Sequence, residues 1–96
     1  MSEVEWKKEY YKDGLLLCET PYINGQVHGV EKWYYNNGQL QWEDPYVNGL
    51  NHGVEKTYNK DGTLKEENLW INDERRNDLL GDEHKLARLM LLGEEG

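Results

Sequence analysis

A segment of 24 residues occurs three times in succession, starting at Tyr10, Tyr34 and Tyr58. This restricts the chain to architectures built from stacked, near-identical units. Gly14, Gly38 and Gly62 hold one repeat position, Leu16, Leu40 and Leu64 a second, Glu19, Glu43 and Glu67 a third, and Tyr22, Tyr46 and Trp70 a fourth. Asn24-Gly25 returns as Asn48-Gly49 and then Asn72-Asp73, and His28-Gly29 returns as His52-Gly53 and then Arg76-Asn77. A unit this short cannot bury an apolar face alone, so each copy must stack on the next.

Within each copy the signals are those of β-hairpins. Lys12-Asp13-Gly14, Asn36-Asn37-Gly38 and Lys60-Asp61-Gly62 each contain an Asp-Gly or Asn-Gly pair, which accepts the positive φ angles of a type I′ turn. The second turn is flanked by Val30 to Tyr35 and by Gln39 to Glu43, where period-two alternation places Leu40 and Trp42 on one face. Asn24-Gly25 and Asn48-Gly49 open a second, looser connection that closes at His-Gly, while Pro21 and Pro45 mark an edge, a bulge or the end of ladder pairing. The expected fold is mainly β: an elongated antiparallel single sheet of stacked β-hairpin repeats, six or seven strands in all, with a short C-terminal α-helix. Strands ~4.8 Å apart advance the ribbon ~10 Å per repeat.

The chain reads as one domain: a lead-in strand over 1–9, repeats over 10–33 and 34–57, a degenerate repeat over 58–78, and a capping helix and tail over 79–96. The third copy loses its Asn-Gly and His-Gly pairs, as a terminal unit with no further neighbour does. From Asp82 the spacing turns helical, with Leu86, Leu89 and Met90 at i, i+3 and i+4, Asp82 as N-cap and Gly93 as stop. Such a helix covers the open end of the sheet or serves as a dimerisation element.

The hydrophobic share is 36%, with no Phe, seven Tyr and four Trp, so rings with polar tips must supply the packing of a thin sheet. The lone Cys18 excludes an intramolecular disulfide, and the charged residues 1–13 and the four-residue apolar run Leu89–Leu92 offer no signal peptide or membrane span. A soluble protein of the cytoplasm is expected. Net charge is −8, and between Asp13 and Glu55 six acids (Asp13, Glu19, Glu31, Glu43, Asp44, Glu55) face one base, Lys32. This balance repels phosphate, so neither direct nucleic-acid binding nor binding to an anionic membrane is expected, and a basic protein partner is the complement. The plainer reading is that the charge keeps an edge-rich sheet soluble.

Tyr34-Tyr35-Asn36-Asn37-Gly38-Gln39-Leu40, followed by Glu43, Tyr46-Val47-Asn48-Gly49 and His52-Gly53, resembles the MORN-repeat family in its bacterial variant form. The resemblance covers roughly residues 6 to 76, with the third copy matching only in its first half. It implies a hairpin ribbon used as a scaffold or binding surface. Proteins like the variant form are often labelled antitoxin components, and small examples look like phage-encoded inhibitors of host defences. Lipid binding, proposed for such repeats, is opposed here by the acidic balance. The motif carries no catalytic residue.

The residues themselves also argue against catalysis, and no cofactor is expected. His28 and His52 occupy equivalent positions ~10 Å apart, too far to share an ion, and each closes a turn more readily than it ligates. Ser2 is the one serine; Cys18 lies mid-strand beside Glu19, which raises a thiol pKa. The acid pairs Glu43-Asp44 and Glu66-Glu67 point to opposite faces of a strand and cannot converge on one substrate. Glu19, Glu43 and Glu67 form a ladder that serves either as an acidic patch or as partner to Lys32 and Lys56. Trp33 and Trp42 break the repeat: Glu9 and Thr57 stand at the equivalents of Trp33, and Cys18 and Glu66 at those of Trp42. Architecture therefore does not require these rings. The expected contact residues are Trp33, Trp42, Glu19, Glu43, Asp44, Tyr46 and Glu55, with tryptophans as anchors and acids for steering. A nucleic-acid-mimicking inhibitor and a structural assembly role, including a homodimer, are the alternatives.

Overall fold

The computed structural model describes residues 3–80. The strands are β1 (Glu5–Tyr10), β2 (Leu16–Ile23), β3 (Gln26–Val27), β4 (Gly29–Tyr34), β5 (Leu40–Val47), β6 (Leu50–Asn51), β7 (Gly53–Tyr58), β8 (Leu64–Ile71) and β9 (Glu74–Arg75). They form one open antiparallel sheet in the order β1-β2-β4-β5-β7-β8-β9, with β3 on β2 and β6 on β5. Among the described residues there are nine strands rather than the six or seven expected, because His28 and His52 interrupt two longer strands. Rejoining β3 with β4 and β6 with β7 gives seven.

The two kinds of turn are the reverse of the sequence expectation. At Tyr11 to Leu15, Gly14 N–H donates to Tyr11 O (3.0 Å) and Tyr11 N–H to Leu15 O (2.8 Å), closing a three-residue loop. Only its glycine has positive φ (+91°), so this is a type I turn with a glycine bulge rather than type I′. The Asx side chains stabilise it by accepting the N–H two residues on: Asp13 from Leu15 (3.1 Å), Asn37 from Gln39 (2.9 Å) and Asp61 from Thr63 (3.0 Å). The tight type I′ turns lie instead at Asn24-Gly25, Asn48-Gly49 and Asn72-Asp73, where both residues have positive φ.

Each three-residue loop is followed by a bulge, which corrects a second expectation. Tyr34 pairs with Leu40 and Trp33 with Trp42, with a register shift between. The extra residue Gln41 inverts the alternation, so Leu40 and Trp42 point to opposite faces. Equivalent shifts occur at Glu9/Tyr10 and Thr57/Tyr58.

Pro21 and Pro45 remain paired within their strands, opposite Trp6 and Val30. Each proline carbonyl accepts the N–H of His28 (2.9 Å) or His52 (3.1 Å). Their third-repeat equivalent, Leu69, does have an N–H, and it donates to Asn77 Oδ1 (2.8 Å). Asn77 itself stands where Gly29 and Gly53 stood. The Pro/Gly pair that carries the chain into the next hairpin has become a Leu/Asn pair, after which the described chain leaves the hairpin pattern. The chain then makes one 3-10 turn (Asn77–Leu79) packed on β8, and buries Leu79 beside the fully enclosed Leu69. The helix expected from Asp82 lies outside the described residues.

Tyrosines tie the repeats together. Tyr11 Oη donates to Tyr34 O (2.6 Å) and Tyr35 Oη to Tyr58 O (2.7 Å); the third copy has Asn59 at this position. Tyr34 Oη reaches back to Glu19 (3.0 Å), and Tyr58 Oη reaches back to Glu43 in the same way. His28 and His52 accept the backbone N–H of Asn48 and Asn72 at Nδ1 (both 3.2 Å). The histidines close turns of the following repeat, as their glycine neighbours suggested.

Candidate functional site

Register divides the expected contact residues between two faces of the sheet. One face carries an alternating row across six strands: Lys8 opposite Glu19, Glu19 opposite Lys32, Lys32 opposite Glu43, Glu43 opposite Lys56, and Lys56 opposite Glu67. Glu19 and Glu43 are therefore flanked on both sides by lysines and also accept the Tyr34 and Tyr58 hydroxyls. Alternating charges in such a row leave little net field. The register thus sets each glutamate of the ladder opposite lysines, while the hydrogen bonds that Glu19 and Glu43 accept come from tyrosine hydroxyls.

The opposite face collects Trp33, Trp42, Asp44, Tyr46 and Glu55. Trp33 on β4 faces Trp42 on β5, with ring centroids 6.2 Å apart and planes inclined at 27°. Such a pair contributes ~0.5–1.5 kcal/mol beyond area burial. Each indole is oriented by a carboxylate: Trp33 Nε1 donates to Glu31 (2.9 Å) and Trp42 Nε1 to Glu55 (3.1 Å). Glu55 also accepts from Asn68 Nδ2 and Trp70 Nε1 (both 3.2 Å), and Glu31 accepts from Thr20 Oγ1 (2.8 Å). Trp42 remains 36% exposed, so its ring is held in place and still accessible.

Between these carboxylates, directly opposite Glu31, sits Asp44, only 4% exposed. It accepts from Asn51 Nδ2 (2.7 Å) and Tyr46 Oη (3.0 Å). Burial pushes its carboxyl up from the ordinary 3.8 to about 6, with Glu55, Glu31 and Asp73 adding to the rise and the Tyr46 hydrogen bond opposing it. Burial and the Asp44 carboxylate in turn push the Tyr46 hydroxyl up to about 12. The native state holds the Asp44 proton more tightly than the unfolded chain does. Its stabilising contribution is thus full below about pH 4 and is lost as pH rises through about 6. Asp44→Asn is expected to stabilise the protein by on the order of 1–2 kcal/mol at pH 7.5, and by little below pH 4. Denaturant titrations at the two pH values check this; an equal gain at both would assign the effect to packing rather than charge.

Beside the tryptophan pair lies a hollow of about 190 Å³ lined by Lys7, Glu9, Cys18, Thr20, Tyr22, Glu31 and Trp33. Cys18 is buried, and burial first, then the neighbouring glutamates, pushes its thiol up, away from nucleophilic reactivity. No grouping of His, Cys, Asp and Glu among the described residues has the geometry of a metal site, and no helix among them is long and apolar enough to cross a membrane.

The expected contact residues do not include Glu31, Thr20 or Trp70. The repeat itself held the clue, since Glu31 is Glu55 one period earlier and Trp70 continues the Tyr22 and Tyr46 position. What it lacked was the face: the bulge hides which residues converge. No curated protein and no solved structure gives a significant match. The family model described as MORN repeat variant matches twice, over residues 27–48 and 51–72, so the second and third hairpins of this sheet, each with its loop and bulge, are repeats of the MORN variant kind.

Proposed function

We propose that this chain is a non-catalytic binding module that engages a basic protein through its aromatic, acidic face. The observation that supports this reading is the contrast between the two faces. On one, every glutamate of the row has lysine neighbours; on the other, Glu31, Asp44 and Glu55 stand side by side with two stacked indoles. Adjacent like charges cost stability in a sheet, and a cationic partner would relieve that cost. Trp33 and Trp42 anchor the partner, with Tyr46 at the margin. By family resemblance the partner is a toxin or a defence effector of the cytoplasm, which this chain neutralises as an antitoxin or inhibitor.

The test is affinity capture from host lysate at ~50 and ~300 mM salt, bracketing the screening regime. A basic protein retained at low salt and released at high salt is expected. Trp33→Ala with Trp42→Ala should weaken its binding at least ~10-fold, a hot-spot-sized loss, while circular dichroism shows the sheet intact. Glu19→Gln with Glu43→Gln, on the other face, should bind as the wild type does. Equal loss from both pairs would remove the reason for choosing one face.

The row Glu31, Asp44 and Glu55, in which the enclosed Asp44 adds charge and not contact, supports a narrower second reading, imitation of a nucleic-acid backbone in the groove of a nuclease or defence complex. Duplex DNA would then displace the chain from its captured partner.

A further inference from the structure

The first strand repeats the chemistry of β4 and β7 without the neighbour that those strands have. Lys32 of β4 lies opposite Glu19 of β2, and Lys56 of β7 opposite Glu43 of β5. Tyr34 and Tyr58, at the ends of the same strands, give their hydroxyls to those two glutamates. Lys8 and Tyr10 occupy the equivalent positions of β1. Among the described residues no strand lies beyond β1, all six of its residues are exposed, and Tyr10 is 58% exposed. Next to this edge, Trp6 (54% exposed) and Val4 (46%) border an apolar hollow of about 400 Å³, completed by Pro21, Ile23, His28, Gly29, Val30 and Lys32.

We propose that the outer edge of β1 is a docking site for an extended strand of a partner protein that bears a carboxylate opposite Lys8. The incoming strand continues the sheet by β-augmentation, its backbone pairing with β1 as β2 pairs with β4. Its carboxylate takes the place that Glu19 and Glu43 hold within the chain, against Lys8 and the Tyr10 hydroxyl. Its apolar side chains on that face extend over the hollow beside Trp6. The chemistry matches the internal joints of the ribbon, so the sequence of β5 is a template for the ligand. A second copy of this chain is a poorer fit: stacking β8 on β1 in the internal register sets Glu66 against Glu9, where the internal joints set Cys18 against Trp33 and Trp42 against Thr57.

The probe is a synthetic peptide of residues 39–48, carrying the acid of Glu43, titrated to millimolar concentration into the isotope-labelled full chain. Amide shifts concentrated on Glu5–Tyr10 are expected, with binding at least tenfold weaker for the peptide with Glu43→Lys. The chain with Lys8→Glu should reverse this preference and select the lysine peptide. That exchange is a readout that mere loss of stability cannot produce. Absence of shifts on β1, or equal binding of both peptides, would overturn the proposal. So would a concentration-dependent mass of the unliganded chain that Lys8→Glu abolishes, because the occupant would then be a second copy. The charge exchange at Lys8 reads the face opposite Trp33 and Trp42, so this site and the proposed function stand or fall separately.

Discussion

Gly53→Ala is expected to destabilise the protein by about 3 kcal/mol and to lower its melting temperature by more than ~10 °C, through strain and collision acting together. Gly53 has φ +131°, a conformation that residues with a Cβ rarely adopt. A Cβ there would also lie 2.9 Å from Cγ and 3.1 Å from Cβ of Pro45, a rigid ring paired within the sheet that cannot swing away. Gly38 isolates the first effect: its φ is +86° but a Cβ would meet nothing within 4 Å. Gly38→Ala should therefore cost only ~1 kcal/mol. Adding Pro45→Ala to Gly53→Ala should recover part of the loss, a coupling that a double-mutant cycle measures. Equal melting temperatures for Gly53→Ala and Gly38→Ala would refute the packing role of the proline.

The second large effect is expected at the end of the ribbon. Leu69 is fully enclosed, and Leu69→Ala should cost ~2–4 kcal/mol, the usual range for a buried leucine left over a cavity. The loss should be local. In a stacked array each unit touches only its neighbours, so the terminal hairpin opens before the others. Amide exchange should accelerate along Leu64–Ile71 while Leu16–Ile23 keeps its protection. Leu79→Ala should produce much the same pattern, and the two losses should not add, because both empty one small core between β8 and the 3-10 turn. Uniform acceleration across the sheet would instead show that the hairpins unfold as one cooperative unit.

These two sites show how far the repeat alone carries an argument. The period identified the stacked hairpins and ranked the third copy as terminal, because side chains at one repeat position necessarily form rows across the strands. It also showed that Trp33 and Trp42 break the pattern. It did not separate the two turn types, since Asn-Gly and Asp-Gly suit both a two-residue type I′ turn and a glycine-bulged three-residue loop. Loop length decides between them, and loop length follows from cross-strand hydrogen bonds such as Tyr11 N–H to Leu15 O.

The candidate site was legible in its residue types and not in its arrangement. Charge and aromaticity single out seven contact residues; five share a face, and Glu19 and Glu43 lie on the other, opposite lysines. Simple alternation counted from the turn would have put Leu40 beside Trp42. The bulge at Gln41 shifts the count by one and brings Trp33 and Trp42 into a stacked pair. Nor does the sequence reveal that Asp44 is enclosed, for its neighbours in sequence, Glu43 and Pro45, face the other way.

What the sequence determined by itself is the unit and its multiplication: a 24-residue hairpin motif, three times over, acidic and rich in tyrosine and tryptophan. Periodic identity needs no tertiary information to be read. Only the tertiary structure decided which face each charge occupies, because a single bulged residue reverses the alternation of everything beyond it. It alone also showed how the ribbon ends, since the exchange of Pro and Gly for Leu69 and Asn77 makes sense only when the two are seen bonded to each other.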